Sequence, residues 1–370
     1  MDMVKRLVIV LLSGVVCLSC SSGSSDAPAP APPSTPNPPV TPYADFMRGA
    51  DLSFLPEVEA EGTVFLTSAD VPKDALTILK DRGCNTIRIR LWHTPTNSHS
   101  ALPEVVALAA RVKAAGLKVY LDIHYSDTWA DPGHQSKPAA WQALTFTLLK
   151  DSVYLYTRKV IAQVQPEYVQ IGNEVNGGIL WENGRIAQLA DFMALIKEGC
   201  RASREVSPST RIMIHYAGTI GADWFFAQLK NNAVDYDLMG ISYYPMYHGF
   251  SLVDLKTQLF ALIAANSKPL VIAETAYPFS LGYNDFTNNI LGSTSQLIPA
   301  YPATPAGQKY FLLAIKALLK QNSLGAGFCY WGGEWVAFRG PTATDGSAAE
   351  NMALFSFGNK ELPVMEAFTP

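Results

Sequence analysis

The sequence predicts an α/β protein built as a single (β/α)8 TIM barrel, and three observations carry that reading. Eight short apolar runs recur through residues 43–370, segments of helical periodicity lie between them, and no linker-like stretch interrupts the series. About 330 residues suit one such barrel, which routinely reaches this size without a second domain. The runs cover residues 46–51, 86–91, 118–124, 168–172, 211–215, 237–243, 270–274 and 325–331. Helical spacing of Ala, Val and Leu is clearest over 103–115, 145–164, 186–205, 252–265 and 305–321.

Two segments precede the barrel. Lys5 and Arg6 lead an apolar stretch over residues 7–18 that is too short to cross a bilayer, so residues 1–20 read as an export signal. Its end, Cys17-Leu-Ser-Cys20 followed by Ser21, resembles the lipobox of bacterial lipoproteins. The resemblance implies lipidation of Cys20 and an anchor in the cell envelope. Ser21, in place of an inner-membrane retention signal of the Asp type, points to the outer membrane. Ordinary signal cleavage is the alternative. Residues 21–42 are Ser, Pro and Ala with almost nothing to bury, so they read as a flexible tether.

Composition excludes some partners. A net charge of −4, from 28 basic and 32 acidic residues, leaves no basic stripe, so no nucleic-acid partner is expected. Cys84, Cys200 and Cys329 are too widely spaced for a zinc site or a disulfide framework and read as small buried apolar residues, with one bridge left open. A monomer is expected.

The chemistry gathers where strands end, because a parallel barrel presents those ends at one mouth. The first run closes on Asp51. The second carries Arg88 and Arg90 on one face by its period of two, a costly arrangement unless the guanidinium groups are paired. An inward Arg beside a nucleophilic carboxylate would hold it ionised; a purely structural ion pair is the rival reading. The third run delivers Asp122 and His124, then a loop bearing Asp127, Trp129, Asp131 and His134. Those histidines lack the i, i+4 spacing of zinc enzymes, and no catalytic metal is expected. Polar groups interleaved with aromatic rings suit a sugar, whose C–H face stacks while its hydroxyls need fixed partners.

The fourth run stops at Asn173-Glu174 before Gly177-Gly178, and the seventh stops at Glu274. Either glutamate alone would more often be a cap or a solvated loop residue. Two, each closing an apolar strand, are what a glycosidase uses, one to protonate the leaving oxygen and one to attack or to activate water. The sixth and eighth runs add Tyr244, Trp331 and Trp335, for which core packing is the plainer alternative.

Read in order, Arg48-Gly-Ala-Asp51, Asn85-Thr-Ile-Arg-Ile-Arg90, Asp122-Ile-His-Tyr-Ser-Asp-Thr-Trp-Ala-Asp-Pro-Gly-His-Gln135, Ile171-Gly-Asn-Glu174, Ile241-Ser-Tyr-Tyr-Pro245, Ala273-Glu-Thr-Ala-Tyr-Pro278 and Tyr330-Trp331 resemble the family 53 glycoside hydrolases, the arabinogalactan endo-β-1,4-galactanases. The His124-to-Pro132 run is the most specific of these, whereas Gly-Asn-Glu and Tyr-Tyr-Pro occur more widely among retaining barrel glycosidases. The resemblance implies an endo-acting, retaining enzyme for the β-1,4-galactan of type I arabinogalactan in pectin. It implies Glu174 as acid/base and Glu274 as nucleophile. It further implies Asn173 on the sugar 2-hydroxyl, Arg88, His124 and Tyr244 arranging the carboxylates, and Trp331 under the sugar. Asp51, Asp127, Trp129 and Trp335 complete the expected sugar contacts. The chain departs from family habit at Gly332-Gly333, where members carry Glu-Pro, and no cofactor is expected. A structural calcium has limited room among Asn284, Asp285 and Asn288 in the insert over 279–302. Rival readings are an enzyme of the same clan acting on xylan, mannan or β-glucan, and a surface glycan-binding lipoprotein without turnover.

Overall fold

The computed structural model of the protein describes residues 43–370. The export signal, the tether and Cys20 lie outside the described residues. All eight apolar runs form strands: β1 (Met47–Asp51), β2 (Thr86–Leu91), β3 (Lys118–Ile123), β4 (Tyr168–Ile171), β5 (Arg211–Ala217), β6 (Leu238–Ser242), β7 (Leu270–Thr275) and β8 (Gly325–Tyr330). Each pairs in parallel with its neighbours in sequence, and β8 returns to β1, so the sheet closes on itself. A closed sheet leaves no edge to protect.

Helices follow the strands in turn: α1 (Ala75–Asp81), α2 (Leu102–Ala114), α3 (Phe146–Val164), α4 (Leu189–Val206), α5 (Ala222–Asn231), α6 (Leu252–Asn266) and α7 (Pro305–Leu319). The stretch after β8 ends in a 3₁₀ turn, Pro363–Phe368, which takes the place of an eighth helix. In α3 the buried residues Leu149, Val153, Thr157, Val160, Ile161 and Val164 recur at helical spacing and form the stripe that faces the barrel. Thr145 caps its start and Thr304 does the same for α7, where Pro305 occupies the first turn.

Alternation along the strands separates two interiors. On β3, Val119, Leu121 and Ile123 join the core between sheet and helices, whereas Tyr120 turns into the barrel. There it meets Met47, Tyr168, Met213, Leu238, Val271, Ala273, Ala326 and Cys329, an apolar plug that makes the barrel solid. Cys84, Cys200 and Cys329 are all buried and unbridged.

β7 breaks the alternation. Val271 and Ala273 point into the barrel, so Glu274 would ordinarily point out. The β6–β7 register instead shifts, pairing Ile241 with Ile272 but Ser242 with Glu274. The irregularity turns two consecutive residues inward and aims the Glu274 carboxyl at the mouth.

Candidate active site

At the mouth lies a cleft of about 450 Å³. Among the residues expected at the site, Asp51, Arg88, His124, Trp129, Asn173, Glu174, Tyr244, Glu274 and Trp331 line it.

The floor is a polar layer one step above the apolar plug. Arg88, 2 % exposed, is its hub. Its guanidinium donates to Asp51 Oδ2 at 2.8 Å, Asp122 Oδ2 at 2.8 Å and Asn173 Oδ1 at 2.9 Å, and stands 2.7 Å from Glu274 Oε1. Burial alone would weaken this cation, but the charges of Asp122, Glu274 and Asp51 outweigh it and hold Arg88 well above its ordinary value. Burial likewise opposes ionisation of Asp122, yet Arg88 and His124 bring its carboxyl down to about 2.

Glu174 follows a sharp turn. Gly172 adopts φ +80°, and a Cβ there would stand 2.6 Å from Val175 Cγ1, so the strand can bend only with glycine. Glu174 itself takes φ 45°, a left-handed conformation uncommon outside glycine and typical of strained functional positions. The turn is tied to the loop after β3 by Gln135, whose Nε2 donates to Asn173 O at 2.8 Å.

The two glutamates have different neighbours. Burial and the charge of Glu274 push the Glu174 carboxyl up to about 8, against the pull of Ser242, which donates to Oε1 at 2.5 Å. Glu274 is also raised by burial, but Arg88 draws it down, and Tyr244 Oη donates to its Oε2 at 3.1 Å. Glu274 therefore ionises first of the pair. A ligand-type atom from each of Glu174, His215 and Glu274 lies within 4.8 Å of the others. This triad is poorly suited to a metal, since both ring nitrogens of His215 are engaged by Asn173 and Ser242 and Arg88 already occupies Glu274.

Some placements differ from expectation. Asp127 lies outside the cleft lining because its carboxylate is spent on backbone amides, Thr94 N at 2.8 Å and Ala139 N at 2.7 Å, which pins two loops together. Trp335 also stands back from the cleft, stacking on Phe54 at 3.9 Å and meeting Trp331 edge-on at 5.7 Å. His124 touches neither glutamate: Nε2 faces Asp122 Oδ2 at 2.8 Å and Nδ1 accepts from Ala130 N at 2.9 Å, so it steadies Asp122 and the loop. Arg90 is caged by Phe54, Trp92 and Trp129, its guanidinium 4.1–4.4 Å from each ring centre. Gln170, His215 and Ser242 were not singled out from the sequence. Each lies on the inward face near its strand end, a position that period-two counting from Tyr168, Met213 and Leu238 would have found.

In the insert, Asp285 is 2 % exposed and its Oδ2 has no partner; Glu350 Oε2, Asn289 Oδ1 and Asn351 Oδ1 are likewise buried and unpaired. Buried oxygens left without a donor are the kind of group a hard cation takes up. Of the expected trio, Asn288 is exposed, and Asn284 donates its backbone N–H to Glu350 and its Nδ2 to Phe357 O.

The family model described as glycosyl hydrolase family 53 matches residues 47–368. An arabinogalactan endo-β-1,4-galactanase of Cellvibrio japonicus is 37 % identical over 332 residues, spanning 85 % of this chain and 88 % of the relative. An endo-β-1,4-galactanase of Bacillus subtilis is 30 % identical, spanning 88 % and 85 %. The solved family 53 catalytic domain of Ignisphaera aggregans superposes with a TM-score of 0.84 at 34 % identity, covering 89 % of this chain and 98 % of that one.

Proposed function

The chain belongs to glycosyl hydrolase family 53, and on that premise we propose how its barrel mouth works. It is a glycosidase, an endo-β-1,4-galactanase. Its substrate, in this reading, is the galactan of type I arabinogalactan in pectin, cut by double displacement with retention of configuration.

One observation carries the mechanism: carboxylate oxygens of Glu174 and Glu274 come within 4.8 Å of each other, while their surroundings differ. Retaining glycosidases hold their carboxyl groups roughly 5–5.5 Å apart, and inverting ones leave room for an intervening water. Glu274, steadied by Arg88 and Tyr244, attacks the anomeric carbon. Glu174 gives its proton to the departing oxygen. In the second step Glu174 takes a proton from water, and that water's oxygen displaces Glu274 from the sugar. Asn173 has one Nδ2 hydrogen left after donating to Ala130 O at 2.7 Å, and this hydrogen is offered to the sugar 2-hydroxyl. Trp331 and Trp129, rings 6.3 Å apart in the cleft, provide apolar faces for stacking. These side chains carry the chemistry without a cofactor.

The test follows the first anomer released from unbranched β-1,4-galactan by NMR, beside xylan and mannan and a Glu274→Ala variant. The β-anomer should appear first, from galactan alone, and the variant should be inactive. An α-anomer appearing first would overturn retention, and cleavage of another glycan would overturn the substrate.

We propose further that Cys20 anchors the enzyme to the outer membrane as a lipoprotein and that residues 21–42 space a monomeric barrel from the surface. A Cys20→Ser substitution should move the protein from the membrane fraction to the soluble one. The orphaned oxygens of Asp285, Glu350, Asn289 and Asn351 support a structural calcium, which would tie the insert to the segment around Met352; Ile290, Leu291 and Met352 all line the cleft.

A further inference from the structure

Glu174 and His215 compete for one hydrogen, that of Ser242. Ser242 Oγ lies 2.5 Å from Glu174 Oε1 and 2.8 Å from His215 Nε2. The other ring nitrogen, Nδ1, lies 3.0 Å from Asn173 Oδ1. That atom is an acceptor, because Asn173 Nδ2 donates to Ala130 O while Arg88 and Gln170 both donate to Oδ1 at 2.9 Å. His215 Nδ1 therefore carries a hydrogen. His215 is fully buried, and burial together with the Arg88 cation keeps it neutral, so Nε2 is bare. A bare buried acceptor costs stability unless a donor meets it, and Ser242 is the donor beside it.

We propose that Ser242 and His215 act as a hydroxyl switch behind Glu174, two positioning residues that favour the protonated acid at rest and serve its ionised form during turnover. The inference rests on the reading of Glu174 as acid/base. Two arrangements of the same atoms satisfy different states. In the first, the Glu174 proton sits on Oε1 and is donated to Ser242 Oγ, whose own hydrogen turns to His215 Nε2. Glu174 Oε1, Ser242 Oγ and His215 Nε2 are then all satisfied. In the second, Ser242 turns its hydrogen to Glu174 Oε1, which leaves Nε2 bare. This second arrangement suits Glu174 when it is ionised, and also when its proton lies on the other oxygen, facing the cleft.

Turnover alternates between the two. A half-turn of the carboxyl about its last torsion, which is broad and two-fold, brings the protonated oxygen to the cleft and the bare oxygen to Ser242. The proton then passes to the leaving oxygen, and Ser242 holds the carboxylate that remains. When Glu174 later takes a proton from water, the reverse half-turn restores the resting arrangement. No proton travels along Ser242 or His215; only the hydroxyl rotates.

Other charges set the level about which this switch works. Glu174 faces Glu274 from β7, Arg88 from β2, Asp131 from the loop after β3 and Tyr244 from the loop after β6. His215 faces Arg88 from β2, Asp122 from β3, His124 just after β3, and His248 from the turn after β6. Their influence acts through space and does not depend on Ser242. The switch does, and this separates the two.

The experiment is a double-mutant cycle read on the basic limb of kcat/KM against pH, which reports the acid of the free enzyme. His215→Phe removes the competing acceptor, freeing the Ser242 hydrogen for the carboxylate, so the limb should move to lower pH by about half to one unit. In a Ser242→Ala background the same change should leave the limb in place. A limb that stays put in the first background, or moves equally in both, overturns the proposal.

A second measurement needs neither substitution to fold. In the intact enzyme carrying ¹⁵N-histidine, His215 should show the Nδ1–H tautomer, with an Nε2 resonance that shifts as Glu174 titrates and becomes independent of pH in Glu174→Gln. A hydrogen found on Nε2, or a resonance blind to Glu174, overturns it. Full activity in Glu174→Gln would instead sink the acid/base assignment, a failure of the earlier reading that the tautomer leaves untouched.

Discussion

Tyr244→Phe removes one hydroxyl from the cleft and leaves the ring that packs edge-on to Trp331 at 6.4 Å. That hydroxyl donates to Glu274 Oε2 at 3.1 Å, while Arg88 stands 2.7 Å from Oε1. The donated hydrogen stabilises the ionised carboxylate, so its loss raises the pKa of Glu274. A hydrogen bond to a charged group is worth about 1.5–3 kcal/mol, and 3.1 Å is long for an O–H donor, which favours the lower figure. At about 1.36 kcal/mol per unit, the shift is about one pH unit. The sign follows from the proposed mechanism: Glu274 must be ionised to attack, so the acid limb of kcat/KM moves to higher pH. The basic limb, governed by Glu174, should hold its position. The assay is initial-rate reducing-end release from soluble galactan across pH, with circular dichroism to confirm the fold. Well below the acid limb the variant should be about tenfold slower than the parent. An acid limb that stays in place or moves down would refute the assignment of Tyr244 as the partner that keeps the nucleophile charged.

Other expectations follow from single features. Restoring millimolar calcium after chelation should raise the melting temperature by several degrees, and Asp285→Ala should erase that increment; no increment in the parent would remove the cation from the insert. Glu361 accepts from Arg82 at 2.5 and 2.8 Å and from Ser68 N at 2.5 Å, contacts that hold its carboxyl down to about 2. A depressed carboxylate adds stability above its unfolded pKa and loses it as pH falls toward the folded one. Glu361→Gln should therefore cost about 1 kcal/mol near neutrality, discounted for the half-exposed Arg82, with the difference closing as denaturation is followed from about pH 5 to about pH 2. Gly172→Ala forces a methyl against Val175 at a positive φ, so melting should drop by a few degrees and kcat by more than tenfold, because Glu174 is carried on that turn.

The strands were legible because their apolar residues fill two interiors at once. Run 118–124 alternates Val119, Leu121 and Ile123 toward the helices with Tyr120 and Asp122 toward the barrel, whereas run 270–274 is apolar on both faces up to Glu274. Helix α5 was not singled out, and it is short, with Ala222, Phe225, Phe226 and Leu229 as its buried face. The eighth helix that the barrel pattern implies is a 3₁₀ turn at Pro363–Phe368, where proline opens the segment. At the site, the residues closing strands could be named, but the commitments of their polar atoms could not. Asp127 sits in the most specific motif of the chain and looked like a sugar ligand, yet both its oxygens bind backbone amides of other loops. A motif records which residues are needed together; it does not say which of them face the cleft. Glu274 was named because it closes the seventh apolar run; simple alternation after Ala273 would have turned it outward, and only the register shift, invisible in the sequence, aims it at the mouth.

That register shift also bears on why the proposed mechanism gives two glutamates with the same signature different parts. Each closes an apolar strand, and each is pushed up by burial. The difference lies in what surrounds each carboxyl. The shift in β7 brings Glu274 down beside Arg88, which is also held at close range by Asp51, Asp122 and Asn173. Four groups share that guanidinium, so it cannot swing away to follow a substrate. Glu174 is lifted by the Gly172 turn away from the hub and meets a neutral hydroxyl instead. A carboxyl beside a fixed cation is the one that stays ionised, and a carboxyl beside a hydroxyl that can donate or accept is the one free to exchange its proton. In the proposed mechanism, the division of labour is set by two backbone irregularities, a shifted register and a left-handed turn, rather than by the chemistry of the glutamates themselves.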